Sequence, residues 1–130
     1  MGKIVKCSII IYDDFNAVLI AARGKNKLQK VWSNFSKDIK GKETAEQCVS
    51  KAIDKDLNCT IFDMAPFKEY VLSEDSGDTL LVYTGKVKHF INKHKDINAI
   101  KWITEKELNF YDFSSGEKEI LLDFFMKIKS

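Results

Sequence analysis

The segment TAEQCVSKAIDKDL, residues 44–57, constrains the fold more than any other stretch of the chain. At about 100° per residue, Ala45, Cys48, Val49, Ala52, Ile53 and Leu57 fall on one side of a helix, and Glu46, Gln47, Ser50, Lys51 and Asp54 on the other. A helix with one apolar stripe has to cover another element. One residue breaks the pattern: Asp56 points into the apolar face, between Val49, Ala52 and Ile53.

The partner is a sheet. Residues 4–12 (IVKCSIIIY) and 17–22 (AVLIAA) read as strands joined by the turn chemistry of Asp13, Asp14 and Asn16. Residues 23–31 read as a polar loop. Residues 66–73 and 78–88 form a second predicted hairpin around Ser76, Gly77 and Asp78, and 98–103 a further strand. One helical turn is expected at 104–108. A terminal helix follows, with Ser114 and Glu117 as a capping box and Ile120, Leu121, Phe124, Phe125 and Ile128 on one stripe. The fold class is α+β, a mixed sheet flanked by helices, and the 130 residues suit one domain spanning 1–130.

The bulk numbers exclude several function classes. Twenty-one basic against 19 acidic residues leave a net charge of +2, too balanced for a dedicated nucleic-acid binder. The most basic stretch, Lys86 to Lys95, reads as a solvated loop, and its His89 and His94 have no acid or cysteine cluster beside them. No apolar run reaches the roughly 18 residues of a membrane span. Met1 to Lys6 lead straight into a strand pattern rather than a signal peptide, so the expected location is cytoplasmic. Cys7, Cys48 and Cys59 lack CxxC spacing and fit buried, reduced thiols.

The stretch WSNFSKDIKGKETAEQCVSKAIDKDLNC, from Trp32 to Cys59, resembles the signature of the Nudix hydrolases, G-x5-E-x7-R-E-U-x-E-E-x-G-U, with U an aliphatic residue. Laid without gaps, that box runs from Lys37 to Cys59. Glu43 and Ile53 match; Lys51 stands for the arginine, Asp56 for the last glutamate and Cys59 for the final aliphatic. Lys37, Ala52, Lys55 and Asn58 depart from it. Trp32 lies where many members carry a tryptophan, and AIKWITEKEL at 99–108 is similar to the family's late strand and short helix. The resemblance implies the Nudix architecture, a mixed sheet in an α/β/α sandwich, and a ligand that is a nucleoside diphosphate derivative or a related phosphometabolite.

The family's reaction, pyrophosphate hydrolysis, uses a divalent metal held by carboxylates on this helix at spacing i, i+3 and i+4. Here those positions hold Ala52, Lys55 and Asp56. Alanine supplies no ligand. A lysine at about 4 Å, with an effective dielectric near 20, repels a unit positive charge by roughly 4 kcal/mol and a dication by about twice that. A metal site of the family type is therefore not expected. Asp56 is the one retained candidate ligand, and Mg²⁺ or Mn²⁺ enters only if the chain is an active hydrolase with relocated carboxylates.

The candidate residues each keep two readings. Asp56 is either a surviving active-site acid or a structural one, held by backbone amides or a loop lysine. Glu43 is either a catalytic remnant or an answer to the helix dipole. Lys51 either keeps an ion pair within the motif or is a surface charge. Lys55 either neutralises a ligand's phosphates in place of metal or faces solvent. Trp32 and Phe35, with Tyr12, either stack on a planar ligand or pack the core; Trp102 is assigned to the core. Three functions follow: a metabolite-binding module with hydrolysis impaired, an active divergent pyrophosphohydrolase using Glu43, Glu46 and Asp56 with acids from Glu74 to Asp78, or a protein-interaction scaffold.

Overall fold

The computed structural model describes residues 3–23, 31–87 and 97–129. The chain order is β1 Ile4–Tyr12, β2 Val18–Arg23, β3 Trp32–Ser33, β4 Phe35–Asp38, α1 Ala45–Leu57, β5 Ile61–Val71, β6 Thr79–Val87, β7 Ile97–Ile103, a 3₁₀ turn Glu105–Phe110, and α2 Glu117–Lys129.

The seven strands form one mixed sheet. Its main path runs β3-β2-β1-β6-β5, with β4 on β1 and β7 on β2. β1 and β6 run parallel; the other pairs are antiparallel. β1 splits its outer edge between β4, which pairs Lys6 to Ile9, and β2, which pairs Ile11 and Tyr12. That central, parallel-paired strand is buried on both faces, which is why it reads as an unbroken apolar run.

Alternation along β1 sends side chains to two cores. Cys7, Ile9 and Ile11 join Leu19, Phe35, Cys48, Val49, Ile53 and Leu57 under α1. Ile10 joins Val18, Ile20, Trp32, Leu80, Val82, Leu121, Phe124 and Phe125 under α2. The result is a three-layer α/β/α sandwich, as the strand and helix patterns predict.

Turn and cap chemistry sets the boundaries. Asp13 Oδ1 accepts from the amides of Phe15 and Ala17, both at 2.9 Å, and closes the β1–β2 turn. Thr44 caps α1: its Oγ1 accepts from Gln47 N at 3.1 Å, and Gln47 Oε1 accepts from Thr44 N at 2.9 Å. α1 ends at Asn58, which adopts the left-handed conformation (φ 53°, ψ 41°) and donates its amide to Asp54 O.

Several expectations need correction. β3 and β4 were not foreseen, because two- and four-residue strands carry too little periodicity. β5 begins at Ile61 rather than 66, and bulges interrupt its pairing with β6. Trp102 is 38% exposed, not core: at the end of β7 it turns outward while Ile103 turns in. Ile128, in the last turn of α2, is also 38% exposed, at the rim of the α2 core. Glu117 directs its carboxylate to Asn34 Nδ2, 3.1 Å away, and the contact at Ser114 is a backbone one, Glu117 N to Ser114 O. Residues 24–30 of the expected polar loop, and 88–96 of the basic stretch with both histidines, lie outside the described residues. Lys86 is described: it sits in β6, 2.7 Å from Asp14 and over the Tyr12 ring.

Candidate ligand-binding site

The loop into α1 is tied by Glu43. Its Oε1 accepts from Lys40 N at 3.0 Å and its Oε2 faces Lys51 Nζ at 3.3 Å. These contacts, the backbone one first, hold the Glu43 carboxyl below its ordinary pKa. The glutamate–lysine pair thus keeps the link between the two ends of the motif, without the bidentate fork an arginine would add. Glu43 precedes the N-cap, so it organises the loop more than it answers the dipole of the helix.

On α1 itself, Ala52 is 3% and Asp56 7% exposed, while Lys55 and Lys51 are exposed. The fit of a metal fails on the donor set. One position is a methyl, one is an ammonium, and Glu43 is engaged with Lys51. Among the described residues, no three His, Cys, Asp or Glu side chains come together in a way that could hold a metal ion. The acids proposed for a relocated set do not gather: Glu46 is exposed on α1, and Glu74 to Asp78 lie in the β5–β6 turn.

The two aromatic candidates belong to opposite cores. Phe35 is 1% exposed under α1. Trp32 is 7% exposed on the α2 side, edge-on to Tyr111 with ring centroids 5.4 Å apart, and its backbone is clasped by Asp112 and Ser114.

A cleft of about 260 Å³ opens beside this motif on the α2 face, lined among others by Lys6, Ser36, Tyr70, Leu80, Gly116 and Glu117. Strand register explains the lining. Ser8 and Ser36 are cross-strand partners, and Lys6 lies two residues before Ser8, so all three address the face opposite Cys7 and Phe35. Glu117, at the first turn of α2, meets them from above. Burial pushes its carboxyl up from the ordinary range, and the Asn34 amide and the Lys6 charge pull partly back. Ser8 Oγ and Asn34 Oδ1 are buried with no hydrogen-bond partner among the described residues. Tyr70 is held by its hydroxyl to Asp123 at 2.8 Å.

Sequence reasoning missed Asn34, Glu117, Lys6 and Ser36. Asn34 had a signal, an amide inside the aromatic stretch WSNF; Glu117 was assigned to a cap. A larger concavity, about 380 Å³, is lined by Phe15, Thr104, Glu105, Phe125, Ile128 and Lys129. Its main charges already pair, Lys129 with Glu105 at 2.6 Å, and it does not touch the motif.

No protein-family model and no curated protein matches the sequence. Solved structures do match the fold. The chain is similar to a MutT from a study of the Aliivibrio salmonicida and Vibrio cholerae proteins, at 12% identity and TM-score 0.80, covering 97% of this chain and 99% of that one. It is similar to the MutT protein of Methanosarcina mazei at 16% identity and TM-score 0.74, with coverage of 99% and 97%. It is also similar to the Nudix domain of Shewanella oneidensis NrtR, solved with ADP ribose, at 11% identity and TM-score 0.75, with coverage of 98% and 90%. With these likenesses spanning nearly every residue, the chain has the Nudix-hydrolase fold.

Proposed function

We propose that this protein binds a nucleoside diphosphate derivative or a related phosphometabolite, and that metal-dependent hydrolysis of the family type is absent. One observation carries the reading: a Nudix fold carries a largely apolar cleft edged by Lys6, Ser36 and Glu117, while the box helix offers Ala52 and Lys55 where metal-binding carboxylates would stand. Buried polar atoms without partners need an explanation. Ser8 Oγ and Asn34 Oδ1 lie buried next to Ser36 and Glu117, which do line the cleft. Lys6 borders the same cleft and supplies positive charge for phosphates. The complex of the Shewanella oneidensis NrtR domain with ADP ribose supports the ligand class. In this reading Asp56 is a structural acid rather than a metal ligand, and Trp32 and Phe35 pack rather than stack.

Titration calorimetry with ADP-ribose and a panel of nucleoside diphosphates, with Mg²⁺ and with EDTA, tests it. The expected result is one affinity in both conditions, lowered about tenfold (roughly 1.4 kcal/mol) by Lys6→Gln. Phosphate release that depends on Mg²⁺ or Mn²⁺ would establish the active-hydrolase alternative instead. No binding across the panel would leave the scaffold alternative.

A further inference from the structure

Two of the three cysteines are neighbours in space although they are far apart in sequence. Cys7 on β1 donates to Lys37 O at 3.6 Å, and Cys48 in α1 reaches the same oxygen at 4.0 Å and Asp38 O at 3.6 Å. The two thiols share the Lys37 carbonyl, and Cys48 lies within electrostatic reach of the Glu43 carboxylate. Glu43 is bonded in turn to the exposed Lys51. A chain of polar groups therefore runs from a buried dithiol to solvent. Cys59 stands apart: its thiol contacts Leu57 O at 3.2 Å, past the other end of α1. Neither the fold nor the proposed ligand site needs a thiol pair between helix and sheet.

We propose that Cys7 and Cys48 form an oxidation site, in which hydrogen peroxide converts the dithiol to a disulfide that locks α1 onto β1. The Cys48 proton passes to the Glu43 carboxylate. The Cys48 sulfur attacks one peroxide oxygen, the O–O bond breaks, and the departing hydroxide takes a proton to leave as water. Cys48 is then a sulfenic acid. The Cys7 sulfur attacks it, the S–O bond breaks, and a second water leaves with the Cys7 proton. Two thiols and one peroxide give one disulfide and two waters, with two electrons passed to the peroxide.

The environment sets the rate. Burial pushes both thiols up in pKa, so each is protonated at neutral pH and the first step waits on transfer to Glu43. The pair thus responds to sustained rather than brief oxidant. The bridge would join two elements that already pack together.

The test uses the folded full-length chain. It is treated with hydrogen peroxide, alkylated, digested with trypsin without reduction and analysed by mass spectrometry. The expected product links peptide 7–23 to peptide 43–51, two hydrogens lighter than the separate pair, while Cys59 is alkylated only after unfolding. The oxidised protein melts at a higher temperature, and dithiothreitol reverses the rise. Glu43→Gln keeps the fold, judged by circular dichroism, and slows formation of the link. Absence of the 7–48 link, a link to Cys59 or between chains, or a link that forms only in denaturant would overturn the proposal.

Discussion

The two faces of the sheet are built differently. Under α1 the core is aliphatic and sulfur-rich: Ile9, Ile11, Leu19, Val49, Ile53 and Leu57 with three thiols, Phe35 and Tyr83. Under α2 it is aromatic: Trp32, Phe124 and Phe125, with Tyr12, Phe67, Tyr70, Tyr111 and Phe113 packed against them. The α1 face carries Ala52, Lys55 and Asp56 along one helix. The α2 face carries the cleft. The contrast teaches that the apolar side of a helix seats it on a sheet whatever its polar positions carry. Val49 and Ile53, both buried, seat α1 on the sheet, while Lys55 on the same helix faces solvent.

The largest expected effect is on the aromatic face. Phe124, 3% exposed, meets Tyr12, Phe67 and Phe125 at ring-centroid distances of 5.5, 6.1 and 5.6 Å. Phe124→Ala should cost about 4 kcal/mol by urea denaturation. Ile53→Ala, the matching excision on the α1 face, should cost about 3 kcal/mol. If Ile53→Ala proved the more costly, the aromatic layer would not be the stronger support.

Asn58 extends the point to the end of α1. It stands at the signature's glycine and adopts φ 53° to end α1. Asparagine is among the few side chains that accept this conformation. Asn58→Ala should cost about 1 kcal/mol, and Asn58→Gly should cost nearly nothing, in the same denaturation assay.

Glu117 makes the cleft side depend on pH. Its folded pKa lies above the unfolded value, so folding favours the protonated form. The ionised form opposes folding: that penalty is absent below the ordinary carboxylate range and is complete once pH has risen through the folded pKa. Glu117→Gln should therefore gain stability relative to the parent as pH rises from about 4 to neutrality, where the unfolded acid ionises first. A flat difference across that range would mean that the carboxyl is not desolvated.

The smallest effect belongs to the motif's ion pair. Glu43 titrates low, chiefly through Lys40 N–H, and Lys51 adds to it from a side chain that is 73% exposed. Its stabilising contribution is present above the unfolded pKa and is lost as pH falls through the folded one. Lys51→Ala should move the Glu43 midpoint only part of the way back, as followed by NMR titration. A full return would make the ion pair, not the backbone bond, the main tie.

Much of this was legible in the residues. The helix at 44–57 was, because its periodicity spans nearly four turns, and so was β1, because a strand paired on both sides reads as an apolar run. Thr44 and Gln47 also spelled their capping box in plain order, Thr-x-x-Gln. The short strands β3 and β4 were not legible, nor the outward turn of Trp102, since single positions at strand ends carry no period.

The sequence by itself determined the layers and that positions 52 and 55 of α1 carry no carboxylate, since both follow from residue types at fixed spacing. Only the tertiary structure decided which groups meet. Asn34 and Glu117 lie 83 residues apart and Cys7 and Cys48 belong to different elements, yet each pair is brought together by the register of β4 on β1 and by the helices laid over opposite faces. Local periodicity fixes which way a side chain points; only long-range pairing fixes what it points at.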